Sequence, residues 1–393
     1  MGFMKAYLDN GSTTQVAKEV VEAMLPYFTE KFGHPIFLYS LGQEAADAVE
    51  RAQKTIARTV NAKPEEIIFT SGATEANDVA IRGVALANRK QGNHVITTKV
   101  ENPSVLRVCE ELEKEGFKVD YLPVDREGFV KLDELKKAIT DKTTLVSVAN
   151  VNDEIGTIQP IEEIGKILRE RKRKIFLHVN AAAGYGRVPI DVEKAGIDLM
   201  SLSSHKIHGP KGVGALYIRK NTTIQPIAYG YVSMFTLKPG TENVPGIVGF
   251  AKAAELSFEG FEKHVTHMKK LRERLIAGVE GKISYIVFHG PQGEKRSPAN
   301  ANISFKGIEG ESLQLHLDLN GISVATGSAC STRKLEPSHV MTAIGIKPEV
   351  AHSATRFTLS RYNTAEEIDY TLEVLPQVVG KLRKISPVKP EDI

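Results

Sequence analysis

The sequence has 393 residues, 25% of them charged, and a formal net charge of +3. A net charge this small excludes binding to nucleic acids or membranes that is driven by charge alone. The length allows one large domain or two of moderate size. Two cysteines are too few for a disulfide-rich secreted scaffold, and no apolar run reaches a membrane-spanning length. We therefore expect a cytoplasmic protein.

The first two thirds of the chain alternate short apolar strands with amphipathic helices. In chain order, the pattern predicts a helix over 44–60, strands over 65–70 and 94–99, a helix over 105–116, and strands over 144–150, 174–179, 198–203 and 213–218. Continuous apolar strands that alternate with helices are typical of a largely parallel sheet covered on both faces. We therefore predict an α/β fold.

The pattern changes near residue 246. Residues 246–279 have the periodicity of one long helix, and after them come strands over 283–289 and 300–306, a helix over 311–320 and a last helix after Thr364. This order is typical of a smaller α+β domain. We predict a large domain over 15–257 and a small domain formed by 1–14 and 258–393.

Five of the predicted strands lead into segments that are rich in small polar residues. These segments are SGATEAND (71–78), ENPS (101–104), NVNDEIG (150–156), NAAAG (180–184) and SHKIHG (204–209). In parallel α/β sheets, ligands bind beyond the carboxyl ends of the strands. The first segment offers backbone amides and Thr74 at a helix N-terminus, a geometry that binds phosphate. It lacks the residues of a P-loop and of a dinucleotide fingerprint.

Lys206 is the candidate for covalent chemistry. A lysine beside a phosphate-binding loop can form a Schiff base with pyridoxal phosphate. Burial and the neighbouring His205 would lower the pKa of the amine and free it as a nucleophile, and Ser203 could bind the phosphate. A bare lysine in a loop is more often a surface residue. The combination of neighbours favours the Schiff base.

Seven segments, spread over nearly the whole chain, carry a specific resemblance. They are YLDNGSTT (7–14), SGATEAND (71–78), NDEIGTIQPIEEI (152–164), SLSSHKIHGPKGVGALY (201–217), GTENVPGIVGFAKAAEL (240–256), TGSACST (326–332) and RFTLSRYNT (356–364). In this order they resemble the NifS/IscS-type cysteine desulfurases of the class V aminotransferase group. The resemblance implies a fold-type-I pyridoxal-phosphate enzyme, a homodimer with its sites at the subunit interface. It also implies conversion of cysteine to alanine with a persulfide left on the enzyme, for iron–sulfur cluster assembly or tRNA thiolation, and a scaffold or other protein as sulfur acceptor.

The resemblance assigns a role to individual residues. Lys206 matches the Schiff-base lysine, Cys330 the cysteine that attacks the substrate sulfur, and Arg356 the arginine that binds the substrate carboxylate. Thr241 matches a threonine that reaches the phosphate of the partner subunit. The remaining phosphate-binding positions are Ala73, Thr74, Ser203 and His205.

The two cysteines have different surroundings. Cys330 lies among small polar residues over 327–332, which are typical of an exposed loop, and a thiolate there could attack a sulfur held at the cofactor. Cys109 lies among apolar residues on a predicted helix and fits a buried, inert thiol. No Cys-x-x-Cys is present, so we predict no metal site.

The residues that differ from the family pattern stand at positions that bind the cofactor or the substrate in relatives. Asn180 stands where relatives have an aspartate that pairs with the cofactor's ring nitrogen, Ala183 where a glutamine bonds the phenolic oxygen, and Asn102 where a histidine stacks on the ring. Asp153 and His34 stand where asparagines help to hold the substrate carboxylate. An amide offers the ring nitrogen only a neutral bond. Loss of the charged bond would cost about 2–4 kcal/mol in the transition state, or roughly tenfold to a thousandfold in rate.

Three functions are consistent with this sequence. The first is an active cysteine desulfurase, favoured because Lys206, Cys330 and Arg356 occur together. The second is a weak or inactive homologue that carries sulfur on Cys330, or ligates iron, as the partner of a scaffold protein. The third is another pyridoxal-phosphate reaction, such as selenocysteine lysis or sulfur transfer to an esterified amino acid, and Asp153 near the carboxylate position would suit the esterified case.

Overall fold

The computed structural model of the chain describes residues 4–327 and 337–393. Its strands, in chain order, are β1 (Ala6–Tyr7), β2 (Ile67–Thr70), β3 (His94–Thr98), β4 (Lys118–Leu122), β5 (Thr143–Ala149), β6 (Phe176–Asn180), β7 (Leu199–Ser203), β8 (Gly214–Ile218), β9 (Ile286–His289), β10 (Asn300–Phe305), β11 (Ile322–Ser323), β12 (Ala325–Thr326) and β13 (Ala354–Thr358).

The helices, in the same order, are α1 (Lys18–Met24), α2 (Pro26–Thr29), α3 (Ser40–Thr59), α4 (Ala73–Ala87), α5 (Pro103–Lys114), α6 (Leu132–Ala138), α7 (Ile161–Arg169), α8 (Val192–Ala195), α9 (Val244–Phe258), α10 (Phe261–Lys282), α11 (Gly310–Asp318), α12 (His339–Ala343), α13 (Pro348–Ala351) and α14 (Ala365–Ile385). A short 3₁₀ turn, Ser204–Lys206, follows β7 directly.

A seven-stranded sheet in the order β2-β8-β7-β6-β5-β3-β4 forms the centre of the fold. Strand β8 pairs antiparallel with both of its neighbours, whereas the pairs from β7 to β4 are parallel. The predicted, largely parallel sheet is therefore confirmed. The sequence pattern did not identify β4, because this edge strand, KVDYL, mixes charged and apolar residues instead of forming an apolar run.

Apolar side chains cover both faces of this sheet. In β5, Val146 and Val148 belong to a cluster that includes residues of α3, α7 and α9, whereas Leu145 belongs to a second cluster with residues of α4 and α5. Successive residues of a strand point to opposite faces, so the continuous apolar run of β5 is the pattern that two covered faces require.

A second, four-stranded antiparallel sheet has the order β12-β13-β10-β9. Helices α10 and α14 pack against it, and their apolar residues share one buried cluster with Ala6 and Leu8 from the start of the chain. The domain boundary at 257/258, with residues 1–14 assigned to the small domain, stays a prediction.

The expectation of one helix over 246–279 is wrong. Helix α9 ends at Phe258 and α10 begins at Phe261, and between them Gly260 has a left-handed φ of 73°. A residue in this conformation ends a helix, and glycine adopts it without steric cost. Phe258 and Phe261, one on each side of the break, stack on each other with 5.4 Å between ring centroids, so apolar residues continue across it and the sequence pattern does not reveal the break.

Candidate active site

The sheet brings the polar strand ends together at one edge. Asn77 Nδ2 donates to Ser104 Oγ (2.8 Å), which joins the segment after β2 to the one after β3. Asn102 Nδ2 donates to Asp153 Oδ2 (3.0 Å), and so the segment after β5 is connected as well. The convergence that parallel strands predict at their carboxyl ends is present in the structure.

The main chain around Lys206 is held by several hydrogen bonds. Both the backbone N–H and the hydroxyl of Thr14 donate to the His205 carbonyl (2.9 and 2.8 Å). Arg187 Nη2 donates to the Lys206 carbonyl (3.1 Å) and to that of Asn10 (2.8 Å). These bonds hold the main chain of residues 205 and 206 in place. The Cα of Lys206, and with it the direction in which its side chain leaves the backbone, is therefore fixed at the end of β7.

The pKa of the Lys206 amine lies below its usual value. Burial lowers the pKa of this amine, since a charge is poorly solvated there. Asp153 is the strongest opposing influence, and the guanidinium groups of Arg356 and Arg187 add to the lowering. The lowered pKa predicted from the sequence therefore has its cause mainly in burial and in two arginines.

Asn102 caps a helix in this structure. Its Oδ1 accepts from the backbone N–H of Ser104 (3.0 Å) at the start of α5, the usual bond of an N-cap residue. Because a backbone N–H can only donate, the amide orientation is fixed and its Nδ2 must face Asp153. A role of Asn102 at the cofactor ring stays a prediction.

Asp153 is an ionised group in this arrangement. Burial would raise the pKa of its carboxyl, but the positive charges of Lys206 and Arg356 and the bond from Asn102 outweigh this and lower it. The positive charges that lower this pKa also reduce the repulsion that Asp153 would exert on a substrate carboxylate.

Asn180 ends β6 and is 5% exposed. Its Oδ1 accepts from the Ala182 N–H (3.3 Å), and its Nδ2 lies 3.5 Å from Glu101 Oε2. Ala183 follows in the next turn, where its carbonyl accepts from Arg187 Nη1 (3.2 Å). The roles of Asn180 and Ala183 at the cofactor stay predictions.

Glu101 is a fully buried carboxyl that the sequence pattern did not single out. Its Oε2 accepts from the Asn102 N–H (2.9 Å), while its Oε1 is buried without a hydrogen-bond partner in the part of the chain that the structure describes. Burial raises the pKa of this carboxyl to about 8. Glu101 is therefore mainly protonated at neutral pH.

We expect this group to make the cofactor-free protein less stable at high pH. The folded-state pKa is raised from 4.5 to about 8, so the folded protein holds the proton more tightly than the unfolded chain. The contribution of Glu101 to the free energy of unfolding is then greatest below pH 4.5, and it is lost as the pH rises through 8. Glu101→Gln should remove a loss of roughly 2–5 kcal/mol between pH 5 and pH 9, measured by urea unfolding.

The matched control is Glu280→Gln on the exposed side of α10. It should leave the pH dependence of the unfolding free energy unchanged. Burial also raises the pKa of Glu154, to about 7, so this group too makes the folded protein less stable as the pH rises. Part of the pH dependence of the unfolding free energy should therefore remain in Glu101→Gln. If the unfolding free energies of wild type and Glu101→Gln changed equally with pH, the raised pKa of Glu101 would be contradicted.

Arg356 lies in β13 and is 9% exposed. Its Nη1 donates to the Asp153 carbonyl (3.1 Å), and its Nη2 donates to Ser12 Oγ (2.8 Å) and lies 3.3 Å from Asp9 Oδ1. Its buried Nε lacks a hydrogen-bond partner among the described residues. An unsatisfied guanidinium N–H is a donor for an anion such as a carboxylate.

His34 and Thr241, which were predicted to act at different points, contact each other. Thr241 Oγ1 and His34 Nε2 lie 3.3 Å apart, and the buried Nδ1 of His34 lacks a partner among the described residues. Contact with the substrate by His34 and with a partner's phosphate by Thr241 stay predictions.

Cys330 lies outside the described residues. Glu154 contacts residues on both sides of that segment: its Oε2 accepts from Ser338 Oγ (2.6 Å), and its Oε1 lies so close to Gly327 that a Cβ there would overlap with it. The other thiol, Cys109, is 0% exposed, and burial raises its pKa to about 12. Cys109 is therefore the buried cysteine that its apolar context predicts.

The donor set fits a phosphorylated aldehyde. The α4 N-terminus presents amides of Ala73 and Thr74 that have no partner within a helix, and a Cβ on Gly72 would meet nothing within 4 Å, so the space beside it is open. Ser203 Oγ and His205 Nδ1 share a hydrogen bond (2.8 Å). Burial, aided by nearby cations, lowers the pKa of His205 to about 4, so the imidazole is neutral.

Three of the residues that shape this site were missed by sequence reasoning. Glu101 and Asp9 were inside quoted segments, and a charged residue three positions after the end of β3, in a segment of small polar residues, is a signal that could identify Glu101. Arg187 has no local signal, because its partners, Asn10 and Lys206, are distant in the sequence. Among the described residues, no group of three or more His, Cys, Asp or Glu side chains could hold a metal ion.

Fold and site together define a fold-type-I pyridoxal-phosphate enzyme. The family model described as "Aminotransferase class-V" matches residues 6–371, and the chain belongs to this family. It is 50% identical over 387 residues to the cysteine desulfurase IscS of Dictyoglomus turgidum, which covers 98% of both chains. It is 49% identical over 386 residues to IscS of Methanosarcina thermophila, covering 98% of this chain and 95% of the relative.

A solved structure described as a NifS-like protein has the same fold. The TM-score is 0.91 at 38% sequence identity, and the match covers 96% of this chain and 100% of the other. The resemblance to NifS/IscS-type proteins seen in the sequence motifs is thus confirmed over nearly the whole length. No helix among the described residues is both long and apolar enough to cross a membrane.

Proposed function

We propose that the chain is a pyridoxal-phosphate-dependent cysteine desulfurase that converts L-cysteine to L-alanine and leaves a persulfide on Cys330. Two observations support this proposal: burial and the charge of Arg356 lower the pKa of the Lys206 amine, and the buried Nε of Arg356 has no hydrogen-bond partner among the described residues. High identity to proteins named cysteine desulfurase IscS supports the choice of reaction within the family.

The residues of the site divide the binding work. Ala73, Thr74, Ser203 and His205 would hold the phosphate, and Lys206 would hold the aldehyde. By the family resemblance, Asn180 would face the ring nitrogen. When bound, the cofactor supplies an electron sink for the electrons that remain when Cα loses its proton.

The substrate steps follow from the remaining groups. Arg356 Nε binds the substrate carboxylate. The Lys206 amine, once free and neutral, accepts the Cα proton. The thiolate of Cys330 attacks the substrate sulfur, so that a sulfur–sulfur bond forms as the carbon–sulfur bond breaks. The electron pair of the broken bond stays with carbon, which is later protonated, and alanine leaves; no external oxidant is needed.

A homodimer would complete the site. Segments 25–39 and 229–232 expose large apolar side chains, between 47% for Val232 and 87% for Leu38. Residues 240 and 241 connect the two segments: Thr241 contacts His34 of the first, and the Gly240 N–H donates to the Tyr231 carbonyl (2.8 Å) of the second. An apolar surface of this kind marks a protein interface, and Thr241 would there reach the partner's phosphate.

The persulfide requires an acceptor. We infer that a scaffold protein for iron–sulfur clusters, or another sulfur-acceptor protein, takes the sulfur from Cys330 in the cytoplasm. Sulfide release in the absence of an acceptor should be slow in comparison with release to an added thiol, which attacks the outer sulfur of a persulfide.

An absorbance spectrum tests the proposal. The protein purified with pyridoxal phosphate should be yellow, its spectrum should change when L-cysteine is added, and alanine should form in equal amount to the sulfur transferred. A colourless protein without alanine formation would favour the sulfur-carrying homologue. A yellow protein that is inert to free cysteine would contradict this substrate and favour an esterified amino acid.

A further inference from the structure

The main chain that carries Arg356 is fixed on both sides. Strand β13 pairs with β10 and with β12, so that Arg356 lies opposite Asn302 and Ala325. The segment that follows β1 is attached to the end of the same strand, because Asp9 forms a parallel bridge with Thr358. The separation of the main chains at Asp9 and Arg356 is therefore set by the sheet.

The Arg356 guanidinium is held at both of its terminal nitrogens. Its Nη1 donates to the Asp153 carbonyl (3.1 Å), and its Nη2 donates to Ser12 Oγ (2.8 Å) and lies 3.3 Å from Asp9 Oδ1. The Ser12 hydroxyl in turn donates to the same Asp9 oxygen (2.8 Å). Bonds at both ends fix the plane of a guanidinium. The buried Nε, which has no partner among the described residues, is thereby held in one direction.

The segment that holds Arg356 also contacts the turn that carries Lys206. The backbone N–H and the hydroxyl of Thr14, two residues after Ser12, both donate to the His205 carbonyl (2.9 and 2.8 Å). One short segment from the start of the chain thus bonds to the Arg356 guanidinium and to the main chain beside Lys206.

We propose that Asp9 and Ser12 are positioning residues that hold the Arg356 guanidinium so that its Nε stays free for the carboxylate of an amino-acid substrate. This role rests on the proposed function, in which Arg356 binds that carboxylate. The two residues act through Arg356, and one consequence is a preference for substrates that carry a carboxylate beside the reacting amine.

The sign of the effect separates orientation from charge. The Asp9 carboxylate alone would repel a substrate carboxylate, so its removal would tighten binding if charge were its main influence. If Asp9 and Ser12 act by holding the guanidinium, the removal of either side chain weakens binding. Ser12 carries no charge, and its replacement therefore tests orientation alone.

The first experiment compares two ligands of the cofactor-loaded protein, L-alanine and ethylamine, which is L-alanine without its carboxylate. Binding is followed by the change in the absorbance spectrum. Asp9→Ala and Ser12→Ala should raise the dissociation constant of L-alanine at least about fivefold and leave that of ethylamine within about twofold, since the lost bonds involve a charged group. Ser12→Thr keeps the hydroxyl and should bind L-alanine like wild type.

The control Asp141→Ala removes an exposed carboxylate and should leave both dissociation constants unchanged. Unchanged or tighter binding of L-alanine by Asp9→Ala and Ser12→Ala would overturn the proposal. Equal losses for L-alanine and ethylamine would overturn it too, because they would indicate a general disturbance of the site.

The second experiment needs no cofactor. Phenylglyoxal modifies guanidinium groups, and its rate of reaction with Arg356 is measured by mass spectrometry of the peptide that contains this residue. Arg356 should react at least about fivefold faster in Asp9→Ala and Ser12→Ala, because the bonds that hold its guanidinium are lost. Equal rates in wild type and both variants would overturn the proposal. If the protein takes up no pyridoxal phosphate, the proposed function fails, whereas this measurement still decides whether Asp9 and Ser12 hold Arg356.

Discussion

Lys206→Ala should abolish alanine release from cysteine and leave the protein colourless after the excess pyridoxal phosphate has been removed. The substitution removes the amine that holds the aldehyde and also the base that accepts the Cα proton. Loss of a positioned general base alone lowers a rate by about 10²–10⁴-fold. We therefore expect a loss of at least about 10³-fold in alanine formation, measured by amino-acid analysis at saturating cofactor.

Two comparisons separate chemistry from folding. Lys206→Arg keeps a positive charge but lacks a primary amine, so it should lose activity as completely as alanine does. Lys211→Ala, five residues further along, removes an exposed lysine that donates to the Thr14 carbonyl (3.3 Å) and should keep the yellow colour and the activity. Full alanine release by Lys206→Ala would disprove the mechanism.

The fold of Lys206→Ala should be intact. The turn that carries Lys206 is held by main-chain bonds from Thr14 and Arg187, and the substitution changes none of these groups. It also removes an amine whose charge is poorly solvated in this site. The melting temperature of the cofactor-free variant should accordingly equal or exceed that of wild type.

The parts of the fold that the sequence predicted are those with a strong local pattern. The apolar run of β5 identifies a strand buried on both faces without knowledge of its neighbours. Strand β4 lacks such a run because it is an edge strand, and the end of α9 at Phe258 depends on the left-handed Gly260, which the periodicity of apolar residues does not register. The order of the strands in the sheet cannot be predicted from local sequence patterns either, because it depends on how the connections between the strands pack.

The site shows the same division. The polar residues after each strand and Lys206 at the end of β7 are local features, so they could be predicted. The contacts among them could not, because they join residues that are far apart in the chain: Arg187 to Asn10, Glu101 to Asn180, and Thr241 to His34. The sequence therefore presents Asn102 and Asp153 as two independent differences from the family, whereas in the structure their side chains form a hydrogen bond with each other.

Asn180→Asp should raise the rate of alanine formation. A carboxylate at the end of β6 would pair with a protonated ring nitrogen of the bound cofactor by a charge-assisted bond, which is about twice as strong as a neutral one. If this charge stabilises the transition state by about 2–4 kcal/mol, the gain is roughly tenfold to a thousandfold. The measurement is kcat for alanine at saturating cysteine, compared with Asn180→Ala, which removes the amide altogether and should lose less than about tenfold.

Glu101 decides whether the new carboxylate is tolerated. The Asn180 amide now faces Glu101 Oε2 at 3.5 Å, so the substitution sets two carboxyl groups side by side. Because burial raises the pKa of Glu101 to about 8, this group is mainly protonated at pH 7 and can donate its proton to the new carboxylate. Above pH 8 both groups would be ionised and repel each other. The gain in rate should therefore be greatest below pH 8 and decline above it, and a rate within twofold of wild type at pH 7 would show that the charge at the ring nitrogen does not limit this enzyme.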